Sequence, residues 1–111
     1  MARYFTEEEA RADGFTIVHD PERQEFVLRR DDSSVGVAHY ALLGSDANGD
    51  PTTIDFDHTL VEPELRGTGL SNVLARRALG DDVVRGKQLR TSCWFIEGVV
   101  TKHPEYVAGA N

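Results

Sequence analysis

Arg66, Gly67, Thr68 and Gly69, followed by Leu70 and Ser71, carry the clearest chemistry in this sequence. Two glycines stand behind an arginine, at the point where an alternating pattern gives way to a helical one. The first N–H groups of a helix have no partner inside it and lie at the positive end of its dipole. Glycines at 67 and 69 remove side chains that would block an incoming anion, and Arg66 adds a fixed positive charge. This arrangement suits a pyrophosphate. A dinucleotide fingerprint needs a third glycine where Asn72 stands, and a P-loop needs a Gly-Lys-Ser/Thr ending that is absent.

Three other residues have reactive side chains. Cys93 is the single cysteine; a lone thiol is most often a buried small residue, and only as a thiolate is it a nucleophile. His58 alternates in phase with Ile54, Phe56 and Leu60. It reads either as a hydrogen-bonded core residue or as a general base, because an imidazole titrates near neutral pH. Glu62 follows the same strand and is either a solvated strand end or a carboxylate for water or an amine. His19, His39, His58 and His103 lack metal-ligand spacing, so no metal is expected.

The elements that position these residues follow from periodicity. Thr6 and Glu9 have capping-box spacing, predicting a helical turn over 7–12; a frayed extension over 1–13 is the alternative. Alternation predicts strands over 15–19, 24–30, 35–43 and 53–61, with turns at 20–23 and 31–34 and a loop over 45–51. From Gly69 to about Val84 the apolar positions Leu70, Val73, Leu74, Ala78 and Leu79 have helical spacing. A fifth strand is expected over 88–95, carrying Cys93 on one side and Trp94, as a core residue, on the other. A short helix over 96–102 then stops at His103 and Pro104. The fold class is α/β in the α+β sense: a mostly antiparallel mixed sheet of five strands, one main helix after the fourth, and a short C-terminal helix.

The 111 residues fit one compact domain, 1–111, with 40% apolar and 28% charged residues. The net charge of −7 argues against a nucleic-acid partner. Residues 1–65 carry a net −10, whereas residues 66–90 hold Arg66, Arg76, Arg77, Arg85, Lys87 and Arg90 against two acids, a net +4. That basic block reads as a solvated helix face or as a local anion site, and only one of Arg76 and Arg77 can face a ligand. No apolar run reaches membrane-spanning length and the first residues lack a secretory h-region. A cytoplasmic monomer with no membrane partner is expected.

The stretch Val61-Glu-Pro-Glu-Leu-Arg-Gly-Thr-Gly-Leu70 resembles the acyl-CoA-binding motif of the GNAT superfamily, Arg/Gln-x-x-Gly-x-Gly/Ala, with Arg66 and Gly69 in place and Ser71 where Gly or Ala is usual. His58-Thr59 before the turn, Thr91 to Phe95 after the helix and His103 to Tyr106 at the close are similar to a compact single-domain subgroup. The resemblance covers residues 15–106. It implies a site for acetyl-CoA, as cosubstrate, formed by Val61, Arg66, Gly67, Thr68, Gly69, Leu70 and Ser71. It also implies acetyl transfer to an amine. In the compact subgroup the cysteine matching Cys93 lies near the acetyl end of CoA, as a proposed nucleophile that would relay the acetyl group. Direct attack would instead need His58 or Glu62 as base; Tyr106 is a remoter candidate for a general acid. Two strands of longer members, which help build the acceptor site, have no counterpart, so the acceptor is open; the acidic first half favours a cationic one. The rival readings are a CoA-binding module or sensor without turnover, and an interaction domain without CoA affinity.

Overall fold

The computed structural model describes residues 3–109. Its elements run α1 (Glu7–Ala12), β1 (Phe15–Asp20), β2 (Glu25–Arg30), β3 (Ser33–Leu43), β4 (Thr53–Val61), α2 (Leu70–Leu79), β5 (Gln88–Arg90) and α3 (Trp94–Lys102), with 3-10 turns at Pro63–Leu65 and Pro104–Tyr106. The sheet order is β1-β2-β3-β4-β5; the first four strands are antiparallel neighbours and β5 joins β4 in parallel.

Local chemistry explains the boundaries. Thr6 accepts from the Glu9 N–H while the Glu9 carboxylate accepts from the N–H groups of Thr6 and Phe5, a complete capping box for α1. The segment is docked, with Tyr4 and Ala10 buried. The β1–β2 turn follows Asp20, whose carboxylate accepts the Arg23 N–H. Helix α2 ends at Leu79 rather than near Val84, because Gly80 caps it and Asp81 takes the Val83 N–H at 2.9 Å, an alternative to a further turn of helix.

The apolar residues sit between the sheet and the three helices, which pack against β1–β4 from one side. Cross-strand rows Phe26–Ala38–Thr59 and Leu28–Gly36–Val61 belong to this inner face. The opposite face carries the row Val18–Val27–Val37–Leu60, with Val18 48% and Leu60 52% exposed. No helix of the described residues is long and apolar enough to cross a membrane.

Two further expectations fail, each for a physical reason. The alternation of β4 does not run straight through. His39 pairs His58, and Tyr40 pairs Phe56, so Asp57 is an extra residue, a β-bulge. Ile54 and Phe56 face inward, but beyond the bulge Thr59 and Val61 take the inner face. His58 is exposed on the outer face and is not a core residue. Equally, the fifth strand stops at Arg90. Ser92 is held by Asp55 of β4, and the Cys93 N–H donates to the Phe56 carbonyl at 2.9 Å. Cys93 is therefore the N-cap of α3, not a strand residue, and Trp94 opens that helix at 84% exposure instead of entering the core.

Candidate functional site at the β4–α2 turn

After Val61 the chain makes a 3-10 turn anchored by buried Leu65, and the Arg66 N–H returns to the Pro63 carbonyl at 3.2 Å. Gly67 and Gly69 then adopt φ +80° and +95°, values that L side chains rarely take. The Thr68 hydroxyl donates to the Leu65 carbonyl and accepts the Leu70 N–H at 3.4 Å. The N–H groups of Arg3 and Tyr4 both bind the Thr68 carbonyl, at 2.7 and 2.9 Å. The first helical bond is from the Val73 N–H to the Gly69 carbonyl. Among the described residues, the N–H groups of Gly67, Gly69, Ser71 and Asn72 have no hydrogen-bond partner. They are the donors a phosphate would use. The exposed Arg66 side chain reaches back to the Val61 carbonyl at 3.4 Å, leaving its fork available to solvent.

The turn opens on a groove of about 450 Å³ between α2 and α3. Gly69, Asn72 and Arg76 form one wall, and Trp94, Gly98 and Lys102 the other, with Tyr4 and Phe5 at the rim. Of the adjacent arginines, Arg76 lines the groove and lies over the Tyr106 ring at 4.7 Å, whereas Arg77 is paired with Asp81 and Glu7. Arg85 pairs with Asp82, and the Lys87 Nζ donates to the Val83 carbonyl. Another cavity, of about 500 Å³, lies between α1 and α2, where Glu7 and Glu8 stand beside Arg11, Arg76 and Arg77, and Glu7 pairs with Arg11 and Arg77.

Beside the start of α3 the sheet opens. β4 and β5 pair only over 53–55 with 88–90. Where they part, the Asp55 carboxylate, 8% exposed, accepts the Ser92 N–H at 3.0 Å and the Ser92 hydroxyl at 2.8 Å. Cys93 is half-buried on the inner side, its Sγ 3.6 Å from the Thr59 hydroxyl. The α3 dipole is directed at this point, where it favours negative charge. His58 stands on the outer face, in the same cross-strand row as His39, whose ring nitrogen pairs with Asp57 at 2.8 Å. Glu62 is half-buried just beyond β4 and its N–H donates to the Val35 carbonyl. The structure thus gathers the turn, Arg76 and the start of α3 around one groove, and it separates His58 from Cys93 by the thickness of the sheet. No cluster of three or more His, Cys, Asp or Glu side chains able to hold a metal occurs among the described residues.

Thr59 and Ser92 lie in motifs that the sequence marks, and Asn72 at the end of the glycine turn, but no role attaches to them there, nor to Asp55 and Lys102. Lys102 had a usable signal, since Trp94, Gly98 and Lys102 repeat at four-residue spacing on one helix face. Asp55 and Ser92, 37 positions apart, had none.

A distant charge network fixes the C-terminal end of α2. Burial disfavours ionisation of Asp81. The Val83 N–H, the Arg77 hydrogen bond and the charges of His19 and Arg77 outweigh it and hold the carboxyl below its ordinary value. Burial, with the charges of Asp81 and Asp20, pushes the Tyr40 hydroxyl up; that hydroxyl is 2.7 Å from a His19 nitrogen.

Comparison with known proteins adds the family. A family model described as GCN5-related N-acetyl-transferase matches residues 25–109. The chain is 29% identical over 94 residues to Protein NATD1 of Danio rerio, covering 82% of this chain and 80% of that protein. It is 30% identical over 89 residues to Protein NATD1 of Gallus gallus, covering 79% and 76%, and 30% identical over 89 residues to that of Homo sapiens, covering 79% and 74%. With the match extending from β2 through the turn and groove to the residues after α3, the chain belongs to the GCN5-related N-acetyltransferase family.

Proposed function

We propose that this protein binds acetyl-CoA in the groove between α2 and α3 and transfers the acetyl group to an amine. The observation that carries the reading is the set of unpartnered N–H groups at Gly67, Gly69, Ser71 and Asn72, opening on a groove whose far wall begins next to Cys93. Pyrophosphate on these donors and Arg66 directs the thioester arm toward the opening between β4 and β5.

The acceptor then approaches from the open outer face, where His58, His39 and Asp57 lie. In direct transfer the amine nitrogen attacks the thioester carbon, the C–S bond breaks and CoA leaves as its thiolate. The proton of the new ammonium passes to His58 or Glu62. In the relay, the Cys93 sulfur attacks the same carbon and its proton goes to the departing CoA thiolate; the amine then attacks the acetyl-cysteine carbon, that C–S bond breaks, and the released Cys93 thiolate takes the proton of the new ammonium. Unpaired N–H groups at the start of α3 stabilise the developing oxyanion in either case. One observation favours a second reading, binding without turnover: the hydrogen-bond partner of Cys93 Sγ is the Thr59 hydroxyl, and no base bonds to it among the described residues.

Calorimetric titration with acetyl-CoA, with ATP as control, tests the cofactor. Saturable one-to-one binding, tighter than ATP, is expected; no binding at millimolar ligand overturns the proposal.

A further inference from the structure

Each of the ten glycines but one has a structural reason to be glycine. Gly14, Gly44, Gly49, Gly67, Gly69, Gly86 and Gly109 have positive φ. At Gly36 a Cβ would lie 3.1 Å from the Val61 side chain, and at Gly80 it would lie 3.3 Å from the Arg76 carbonyl. Gly98 has neither feature. Its φ is not positive, and a Cβ there would meet nothing within 4 Å. It lies in the interior of α3, where glycine destabilises a helix relative to alanine through backbone entropy. A residue that weakens its own helix, with no backbone or packing requirement, has a reason elsewhere.

That reason is visible in the groove. Trp94, Gly98 and Lys102 stand one turn apart on the face of α3 that looks toward Gly69, Asn72 and Arg76 of α2. The wall carries an indole at one end and an ammonium at the other, with a gap between them. We propose that Gly98 keeps the groove open for the ligand: its missing side chain gives the groove the width through which a phosphopantetheine thioester threads between α2 and α3. The inference rests on the acetyl-CoA reading above. A side chain at 98 meets no protein atom within reach of its Cβ, so it projects into the ligand's space instead.

The test is a size series at this position, Gly98→Ala, Gly98→Gln and Gly98→Leu. Each is read by thermal unfolding and by acetyl-CoA titration beside the unaltered protein. All three residues are better helix formers than glycine, so midpoints at or above that of the unaltered protein are expected. Alanine should bind acetyl-CoA within a few-fold. Glutamine and leucine, one polar and one apolar, should weaken binding by about thirtyfold or more, the scale of a lost well-fitted contact region. Folded Gln and Leu variants that bind like the unaltered protein overturn the role of Gly98 and leave the cofactor reading intact. An unaltered protein that binds no acetyl-CoA overturns the cofactor reading itself, and this inference with it.

Discussion

The carboxylate of Asp55, in β4, accepts both the N–H and the hydroxyl of Ser92, at 3.0 and 2.8 Å. One side chain thus fixes the segment that leads from β5 into α3 and sets where the Cys93 backbone meets Phe56. Asp55→Ala should leave Ser92 unpartnered and reduce unfolding free energy by about 1–3 kcal/mol; Asp55→Asn, which keeps one acceptor, should lose less. Urea unfolding of the three proteins checks the order. Equal losses for Ala and Asn would mean that only the charge matters.

Arg66 is exposed and makes a single long bond to the Val61 carbonyl. Arg66→Ala should therefore leave the melting midpoint nearly unchanged while weakening acetyl-CoA binding roughly tenfold, the value of one charge-assisted phosphate contact. Binding by the unaltered protein should also fall with added salt, more steeply than binding by the variant. Parallel salt dependences would argue that Arg66 does not meet the phosphates.

Mass spectrometry of the protein after incubation with acetyl-CoA distinguishes the two routes of transfer. The relay predicts an acetyl adduct on Cys93 that disappears when an amine is added, and no transfer by Cys93→Ala. Undiminished transfer by that variant would leave direct attack as the route.

Trp94 is the sole tryptophan, 84% exposed, at the groove wall. Its fluorescence should shift as acetyl-CoA fills the groove, with a midpoint matching calorimetry. Trp94→Ala should not lower stability, because the ring buries little surface. A ligand that binds without altering the emission would place the site elsewhere.

The acid limb of stability should carry the signature of Asp81. Its carboxyl ionises more readily in the folded chain than in the unfolded one, so its contribution is complete above the ordinary aspartate value and lost as pH falls below about 4. Asp81→Asn should be less stable than the unaltered protein at pH 7, and the difference should narrow as pH falls through that window. A constant difference across pH, followed by urea unfolding, would assign the effect to packing.

Much of this architecture is legible in the residues themselves. The alternation of Phe26 with Leu28 and of Ile54 with Phe56, the Thr6–Glu9 box and the glycines at 67 and 69 encode local geometry, so the first four strands, α1 and the start of α2 follow from short-range rules. What the residues did not disclose depends on contacts distant in sequence. Leu89, Thr91, Cys93 and Phe95 alternate as a strand would, while Ile96, Val99 and Val100 repeat as a helix would; the tie between Asp55 and Ser92 decides where one pattern yields to the other. Trp94 leaves the core for the same reason. The groove wall of Gly98 and Lys102 exists only once α2 and α3 lie side by side; local spacing puts Gly98 inside a helix, and only the packing shows what that helix faces.

The bulge at Asp57 has a consequence for inheritance. It bends β4 beside the point where β5 departs, and a bulge adds twist to the strand that holds it. Removing that one codon would leave Phe56 and Thr59 facing inward, since a regular strand through His58 has the same phase, yet it would straighten the strand and favour a longer ladder with β5. Substitutions at position 57 leave the residue count unaltered. The opening beside Cys93 is thus written in the length of the gene at this point more than in its spelling, and an in-frame loss of three bases is the small genetic change best placed to close it.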